Sequence, residues 1–401
     1  MSEHFSLARH IRDINADQWN DLAGDHPLVR HEFLLALDET GCASARTGWA
    51  PHYLAMHRDG RLAAAMPLYL KSHSRGEYVF DAGWAHAFAQ HGLEYYPKLL
   101  GAVPFTPVPG PRLLARSHAE RVRLARQAIA LTEQNELSSL HILFPSEDDR
   151  AALDEAGFMF RENVQFHWHN QGYRDMDDFL SRLSQQKRKK LRQDRKKAIQ
   201  AGVTFRWLQG ADVDEQALDF FYECYYRTYL EHGNPPYLNR EFFALLRERA
   251  PASLLIVQAE QDGRPIAAAL NIRSATRLYG RYWGCTRFVP GLHFETCYMQ
   301  AIEFCIAHGL HAFEGGAQGE HKLSRGMLPV KTFSAHWIRD ARYAEAIADF
   351  LRRETAAVEG YVDELHEHSP FKKSQGAEEA PVQDGAPPEG DCGPGQPATG
   401  S

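Results

Sequence analysis

The alternation of hydrophobic and polar positions along the chain predicts two halves of similar layout. Apolar residues at helical spacing are interspersed with short apolar runs typical of strands. An Asp-Gly turn separates two such runs in each half, at Asp59-Gly60 and at Asp262-Gly263. Parallel strands arise in this order wherever a helix crosses over the sheet, so we expect an α/β fold with mixed sheets flanked by helices.

The predicted elements follow the same order in both halves, which indicates a structural duplication without sequence repetition. In the first half we predict helices at Ala16–Ala23, Arg30–Thr40, Ala119–Asn135 and Arg150–Glu155, strands at His52–Arg58, Arg61–Lys71, Ser139–Leu143 and Gln165–His169, and a loop-rich stretch over Tyr78–Arg112. In the second half we predict helices at Asp177–Gln200, Val213–His232, Asn239–Arg249, His293–Ala307 and Ala341–Glu367, and strands at Ser253–Gln258, Pro265–Arg273, Arg277–Gly284, His311–Glu314 and Thr332–Arg339.

The end of the chain differs in composition from the rest. Residues 374–401 include six glycines, five prolines and five acidic residues, with no aromatic and no basic residue. Such a segment cannot bury enough apolar surface to offset the entropy lost on ordering. We therefore expect two domains, residues 1–170 and 171–368, followed by a disordered acidic tail over residues 369–401.

Charge and composition narrow the class of protein. The 401 residues carry a formal net charge of −7, and 44% of them are hydrophobic, which excludes a wholly disordered chain. The sequence shows neither a membrane-spanning apolar run nor a secretion signal, and its six cysteines include no C-x-x-C pair. We expect a cytoplasmic protein with reduced thiols.

The densest cluster of polar side chains follows the predicted strand His311–Glu314. Ligands bind in α/β sheets at the loops that follow the carboxyl ends of strands. A carboxylate or imidazole in this loop could act as a base, and two cations could hold an anion. Glycine mixed with charge is also the composition of an ordinary solvated loop, so both interpretations stay open. The candidate residues are Glu314, Gln318, Glu320, His321, Lys322 and Arg325.

A second candidate site combines an aromatic strand with the start of a helix. Tyr282 and Trp283 lie on the strand, and the turn at Gly291 leads into a helix that begins near His293 and Glu295. Free N–H groups at such a helix start bind anions, for example the pyrophosphate of coenzyme A. A tyrosine could protonate a leaving thiolate. Core packing is the alternative interpretation of the aromatic residues.

A run of basic residues forms the third feature. Eight of the eleven positions from 187 to 197 are Lys or Arg, on a helix whose apolar side is narrow. One-sign charge at this density repels itself, and a polyanion such as coenzyme A phosphates or a tRNA backbone would relieve that repulsion. A solvated helical face is the alternative. We select Lys187, Arg188, Lys190, Arg192 and Arg195 as candidate polyanion-binding residues.

The loop-rich stretch of the first half is rich in proline and aromatic residues. Its exposed aromatics and cations are typical of a wall that contacts substrate, although a well-packed connection has the same composition. The candidates are Trp84, Tyr96, Lys98 and Arg112. His167 and His169 share one face of a strand, but no third ligand is near them in sequence, so we predict no metal site.

Three segments of the chain resemble the FemAB-like family of the GNAT acyltransferase superfamily, which is associated with peptidoglycan biosynthesis or recognition. The segments are Trp84–Arg112, Tyr282–Tyr298 and Phe313–Gly326, and the likeness extends over residues 5–367. The resemblance implies two tandem GNAT-like domains. It also implies a cosubstrate, either aminoacyl-tRNA as in FemX-type proteins or acyl-CoA as in ordinary GNAT enzymes, and no tightly bound cofactor. The acyl-CoA signature is only loosely matched by Arg287–Leu292.

The clusters and the resemblance together predict an N-acyltransferase or aminoacyltransferase in which an amine attacks the donor directly. The base would be Glu314, Glu320 or His321, and the proton donor to the leaving group would be Tyr282 or Tyr298. The remaining candidates would bind substrate: Gln318, Lys322, Arg325, Trp283, His293 and Glu295 in the second half, and Trp84, Tyr96, Lys98 and Arg112 in the first.

The expected partner is a small-molecule or peptide amine. A tRNA or a peptidoglycan precursor is a further possible partner. The alternative function is a non-catalytic protein that recognises a cell-wall precursor or a polyanion, which the loosely matched acyl-CoA signature favours. A third hypothesis assigns the basic helix to nucleic-acid contact, with binding that weakens steeply as salt rises.

Overall fold

The computed structural model describes residues 3–316 and 319–372. The chain through Phe371 forms one compact unit. Gln318 and the predicted tail from residue 373 onward lie outside the described residues. Within the described part, α-helices and mixed sheets alternate along the chain, which confirms the predicted α/β class.

The helices flank the sheets, and several of them begin at side chains that cap the first turn. Their bounds are α1 (Ala16–Ala23), α2 (His31–Glu39), α3 (Ala82–Gln90), α4 (His118–Gln134), α5 (Glu147–Glu155), α6 (Met176–Arg182), α7 (Gln185–Gln200), α8 (Glu215–Glu231), α9 (Arg240–Arg249), α10 (Leu292–Phe294), α11 (Gln300–Ala307) and α12 (Ala341–Glu367). Ser117 and Glu120 form a reciprocal capping box at α4, and Asp214 accepts the Ala217 amide at α8. These caps satisfy amides that the helix itself leaves without partners.

The strands form two sheets. Their bounds are β1 (Glu3–Ala8), β2 (Trp49–Pro51), β3 (Tyr53–Arg58), β4 (Arg61–Met66), β5 (Leu68–Lys71), β6 (Lys98–Gly101), β7 (Leu114–Ala115), β8 (Ser139–Leu143), β9 (Met159–His169), β10 (Val203–Gln209), β11 (Leu254–Gln261), β12 (Arg264–Arg273), β13 (Arg277–Cys285), β14 (Ala312–Glu314) and β15 (Leu328–Ile338). The small sheet has the order β1-β3-β4-β7, and the large sheet has the order β10-β11-β12-β13-β14-β9-β15-β8-β6-β5-β2. Among these pairs, β6 with β8 and β13 with β14 are parallel, and the others are antiparallel.

The two halves of the chain exchange their last strands. β9 ends the first half and pairs with β14 of the second half, where Glu314 lies opposite His167. β15 ends the second half and pairs with β8 of the first half, where His336 lies opposite His141. The exchanged strands also pair with each other. Strands of both halves therefore belong to one continuous sheet. The division into two domains at residue 170 stays a prediction.

Several predicted elements are wrong in their bounds. The helix expected over Asp177–Gln200 is two helices, because Leu183 and Ser184 leave the helical path to bond with Phe371 and Pro370. The strand expected over Arg61–Lys71 divides at Pro67, which has no amide hydrogen for a ladder. Its two parts, β4 and β5, belong to different sheets.

Other differences concern elements that the pattern did not show. The stretch Tyr78–Arg112, expected to be loop-rich, contains α3 and β6. β1 and β10 were not predicted, because their polar and apolar residues alternate weakly and each is held by pairing with one neighbour on the edge of its sheet.

A candidate active site between two diverging strands

A cavity opens where the parallel strands β13 and β14 part. The strands pair as far as Tyr279 opposite Glu314. Beyond that pair β14 ends, while β13 continues to Cys285. The cavity has a volume of about 220 Å³ and is lined by Tyr78, Pro107, Ala269, Leu270, Asn271, Gly280, Arg281, Tyr282, Trp283, His293, Cys297, Tyr298, Phe313, Gly315 and Gly316. It thus lies at the carboxyl ends of parallel strands, where α/β folds bind their ligands.

A β-bulge shapes one wall of the cavity. Leu270 pairs with Tyr282 and Asn271 pairs with Gly280, so Arg281 is the extra residue on β13. The Arg281 guanidinium reaches the first half of the chain, where its Nη2 donates to the carbonyl oxygen of Phe105 at 2.6 Å. It forms no ion pair with any carboxylate of the described residues. Bulges re-aim side chains next to active sites, and this one places a cation in the cavity wall.

A π-helical segment, Glu295–Met299, shapes the opposite wall. It joins α10 to α11 and brings Cys297 and Tyr298 into the lining beside His293. The wider turn is typical of functional sites in helices. The helix expected over His293–Ala307 is therefore present but irregular where it meets the cavity.

Tyr298 and His321 form a hydrogen-bonded pair at this wall. The Tyr298 hydroxyl lies 3.2 Å from Nε2 of His321. Partial burial, together with the cations Arg325 and Lys322, lowers the pKa of His321, so the imidazole is neutral near pH 7 and can accept the phenol proton. Burial raises the pKa of Tyr298, which keeps the phenol protonated. The phenol of Tyr298 can therefore donate a proton to a group bound in the cavity.

The two cations of the predicted cluster are held in place by the protein. Lys322 is 2% exposed, and its ammonium donates to the carbonyl oxygen of Gly316 at 2.8 Å. Burial lowers the pKa of Lys322 to about 8. The Arg325 guanidinium stacks on the Phe294 ring at 3.5 Å and donates to the carbonyl oxygen of His321. These contacts fix the 3-10 helix Glu320–Arg325 next to Gly316, which lines the cavity.

Glu314 is a buried carboxyl with an incomplete set of partners. Its Oε1 accepts a long hydrogen bond of 3.4 Å from Arg277, and its Oε2 has no hydrogen-bond partner among the described residues. The His167 imidazole lies 3.9 Å from Oε2, but burial lowers the pKa of His167 to about 3, so that ring is neutral. Burial raises the pKa of Glu314 to about 7, and Arg277 only partly opposes this effect. Phe313 and Gly315, its neighbours in sequence, line the cavity.

Other predicted residues of the second half face away. Glu320 is exposed and accepts a hydrogen bond of 2.7 Å from Tyr361 of α12. Glu295 is buried and accepts from Gln300 at 2.8 Å, with Arg195 of α7 at 3.4 Å. Neither carboxylate is part of the described cavity lining.

The four candidates of the first half make structural contacts, and none belongs to the described lining of the cavity. Arg112 is fully buried and donates to the carbonyl oxygens of Leu143 and Val108. It helps to fill the gap that follows the other parallel pair, β6 and β8. Trp84 packs edge-on against His336 in a buried cluster. Their surroundings explain why these charged and aromatic residues are inside.

Lys98 and Tyr96 hold a loop that does reach the cavity. The Lys98 ammonium is fully buried, 2.8 Å from the Glu77 carboxylate, and it also contacts Asp81. Tyr96 shares a hydrogen bond of 2.8 Å with Ser74. These anchors flank Tyr78, a lining residue whose backbone φ is +60°. Residues other than glycine rarely adopt this value.

Sequence reasoning missed several lining residues, namely Tyr78, Pro107, Asn271 and Arg281. Pro107 lies within the segment Trp84–Arg112 but was not selected as a candidate. The bulge and the strand divergence that bring the four residues together depend on pairing register. The sequence did contain one signal for the loop around Tyr78. Two acidic residues, Glu77 and Asp81, lie close to Tyr78, and Lys98 follows downstream.

The basic helix α7 lies beside the cavity walls. It packs against α10, the π-helical segment and the 3-10 helix Glu320–Arg325. Arg195 pairs with Glu303 at 2.6 Å, Arg192 pairs with Asp177 at 3.0 Å, and Arg188 contacts the Ser181 carbonyl oxygen. Lys187 and Lys190 form no ion pair within the described residues. A basic surface therefore borders the cavity, with part of its charge already neutralised.

Comparison with solved structures shows which class this architecture belongs to. The crystal structure of FemX has the same fold, with a TM-score of 0.53 and 13% identity, covering 87% of this chain and 100% of that chain. The C-terminal domain of a protein described as a lysylphosphatidylglycerol synthetase from Agrobacterium fabrum also has a TM-score of 0.53, with 11% identity, covering 83% of this chain and 95% of that chain. L-PGS from Bacillus licheniformis has a TM-score of 0.50 with 11% identity, covering 80% and 96%. The chain therefore has the fold of the FemX class.

The family follows from the sequence itself. Residues 10–373 match the FemAB-like family, described as peptidoglycan biosynthesis/recognition. The chain belongs to this family, which confirms the resemblance carried by the three segments. No curated protein matches the sequence at a significant level.

Two further findings bear on the site. None of the described helices is both long and apolar enough to cross a membrane. Within residues 3–316 and 319–372, no group of three or more His, Cys, Asp or Glu side chains is placed to hold a metal ion.

Proposed function

We propose that this protein transfers an acyl or aminoacyl group from an activated donor to an amine acceptor in the cavity between β13 and β14. The observation that carries the proposal is the Tyr298–His321 pair at a cavity bordered by cations, together with Glu314, a carboxyl of pKa about 7 whose sequence neighbours Phe313 and Gly315 line that cavity. Acyl transfer to an amine needs a proton acceptor, a proton donor and stabilisation of developing negative charge, and these groups supply all three.

The proposed reaction balances with the groups available. The amine nitrogen forms a bond to the donor carbonyl carbon, and the bond from that carbon to the leaving sulfur or oxygen breaks. Glu314 takes the proton that the amine loses, directly or through one water. Tyr298 gives its phenol proton to the leaving group, and the proton that Glu314 has taken returns to Tyr298 through water, which restores both groups. Arg281 and Lys322 stabilise the negative charge of the intermediate or hold an anionic part of the substrate.

The family and the basic helix support a phosphate-bearing donor. Acyl-CoA and aminoacyl-tRNA both carry phosphates that could contact Lys187 and Lys190, the two candidates of α7 without an ion pair in the described part of the chain. FemX shares the fold, and peptidoglycan biosynthesis is part of the family description, so a peptidoglycan precursor is the proposed source of the amine.

Thermal unfolding of the full chain with added donors tests the proposal. A ligand that binds only the native state raises the melting temperature in a saturable way. Acetyl-CoA, a longer acyl-CoA and an aminoacyl-tRNA would be titrated separately, with free coenzyme A and uncharged tRNA as controls. Whichever donor gives a shift would then be tested for turnover with amine acceptors.

The variant Lys322→Met should remove the shift, because it deletes a cation that donates to Gly316, a lining residue of the cavity. Lys331→Met is the matched control, since Lys331 pairs with Glu162 on neighbouring strands. A donor that binds without turnover would support the alternative, a recognition protein. The absence of any shift with either donor class would contradict the proposal.

A further inference from the structure

A second cavity lies in the first half of the chain, and most of its lining residues are leucines. Its volume is about 190 Å³, and six of the residues that line it are leucines. They come from β1, β5, β6, α4 and the turn after α4: Leu7, Leu68, Leu70, Leu99, Leu131 and Leu137. Leu7 is 40% exposed although it faces this cavity. An apolar cavity of this kind holds water poorly and binds apolar groups well.

Three polar residues, Arg9, His52 and Asn135, complete the lining. The Arg9 guanidinium contacts Nε2 of His52, whose Nδ1 lies 3.0 Å from the carbonyl oxygen of Ala50. Burial and the Arg9 charge lower the pKa of His52, so the ring is neutral and its Nε2 accepts from Arg9. Arg9 has no carboxylate partner among the described residues.

The helix end beside this cavity presents few free acceptors. Asn135 caps α4, and its amide side chain donates to the carbonyl oxygen of Leu131 at 2.8 Å. The Leu137 amide bonds to the Thr132 carbonyl oxygen at 3.0 Å. The one charged group in the described lining of this cavity is therefore the Arg9 guanidinium, which lies next to the leucines.

We propose that this cavity binds a medium-chain alkyl carboxylate, with the alkyl chain among the leucines and the carboxylate on Arg9. A guanidinium suits a carboxylate because its parallel N–H groups match the two oxygens. The volume of the cavity is smaller than the roughly 300–1,000 Å³ of sites that bind larger ligands. A cavity of this size favours a single unbranched chain. The inference does not depend on the proposed transferase activity, since none of these residues lines the first cavity.

Calorimetric titration of the full chain with octanoate tests the proposal. We expect saturable binding to one site, weaker binding of hexanoate because fewer methylenes are buried, and little or no binding of octylammonium or 1-octanol. Arg9→Gln should weaken octanoate binding by about tenfold or more, since it removes a charge-assisted hydrogen bond. Arg12→Gln, at an exposed arginine outside the cavity lining, should leave it unchanged.

A second pair of variants tests the apolar wall. Leu131→Trp should fill the cavity and abolish binding, and circular dichroism would show whether it folds. Leu7→Gln alters a partly exposed wall position and should weaken binding even if the tryptophan variant fails to fold. The proposal is overturned if no octanoate binds, if octylammonium binds equally well, or if Arg9→Gln binds octanoate as the unchanged protein does.

Discussion

At the scale of single residues, this protein shows how poorly a charged side chain reveals its role from sequence. Lys98, Arg112 and Glu314 are all buried, yet the first two have partners and the third lacks one on Oε2 within the part of the chain that the structure describes. Burial without a partner costs free energy, so a carboxyl kept in that state is a candidate for function. Sequence placed all three among the site candidates, and only the surroundings in the fold separate them.

Glu314→Gln should separate the functional role of this carboxyl from a structural one. The native pKa of Glu314 is about 7, raised from an ordinary value of 4.5. The native state then holds its proton more tightly than the unfolded state, so the group's contribution to stability falls as pH rises from about 4.5 to about 7. At pH 8 we expect the free energy of unfolding of the glutamine variant to be about 1–3 kcal/mol higher than that of the unchanged protein. The fall in stability between about pH 4.5 and pH 7 should be absent from the variant.

Turnover of the same variant should fall by roughly 100-fold or more if Glu314 is the base. The matched control is Glu320→Gln, because Glu320 is exposed and hydrogen-bonded to Tyr361. In the unchanged protein, activity should decline below about pH 7 as Glu314 gains its proton. Denaturant unfolding and a pH–rate profile give the two measurements, and a glutamine variant with full activity would exclude Glu314 as the base.

Lys98→Met tests the interpretation of the first-half candidates as structural. The variant leaves Asp81 buried without its cation, while Glu77 keeps only the more distant Lys71 at 3.9 Å, and this should cost about 3–5 kcal/mol of stability. Adding Asp81→Asn should restore part of that loss, because it removes the unpaired carboxylate and leaves the Lys71–Glu77 pair in place. Denaturant unfolding of the single and double variants measures both effects. A single variant as stable as the unchanged protein would show that the cluster is not needed for the fold.

At the scale of elements, the cavity is made by three irregularities: the divergence of β13 from β14, the bulge at Arg281 and the π-helical segment. The hydrophobic pattern predicted the strand Arg277–Gly284 and the helix His293–Ala307, and both are present. The pattern could not show the irregularities, because they follow from strand register and from packing between distant segments. The aromatic strand and the start of the helix after it were the parts of the site that sequence located best, because the described lining of the cavity includes Tyr282, Trp283, His293 and Tyr298.

Gly284→Ala probes how closely β13 packs beneath the cavity. A Cβ at Gly284 would overlap the backbone carbonyl of Cys224 on α8, which has little freedom to move. We expect a loss of about 1–3 kcal/mol from overpacking. Gly360→Ala is the opposite case, because a Cβ there meets nothing within 4 Å and the residue lies inside α12. That variant should gain about 0.5–1 kcal/mol, and thermal unfolding of both would show the contrast.

At the scale of the whole molecule, the exchange of β9 and β15 joins what the sequence predicts as two domains. The duplicated order of elements was visible in the hydrophobic pattern, because helix and strand periods are local properties. The exchange was not visible, because the hydrophobic pattern of β9 and β15 would be the same if each strand paired within its own half. Long-range pairing is decided by the complete chain, so the predicted boundary at residue 170 does not mark a gap in the sheet.

The exchange predicts that the halves depend on each other. Expressed alone, residues 1–170 would have β8 without its partner β15, and residues 171–401 would have β14 without β9. Each half would expose an unpaired strand edge, which favours aggregation. We expect each half to be unfolded or aggregated alone, the co-expressed halves to associate, and the full chain to unfold in one transition by circular dichroism and tryptophan fluorescence. Two stable, monomeric halves would contradict this prediction.

The same exchange sets a condition on how the protein is made. A ribosome produces the amino-terminal half first, and most proteins can fold such a half while the rest is still being translated. Here β8 has no partner on one side until Leu328–Ile338 has been synthesised and has left the ribosome. The nascent chain must therefore carry an unfinished sheet through most of translation. Its yield in the cell should depend more on chaperones that shield nascent strands than its final stability would suggest.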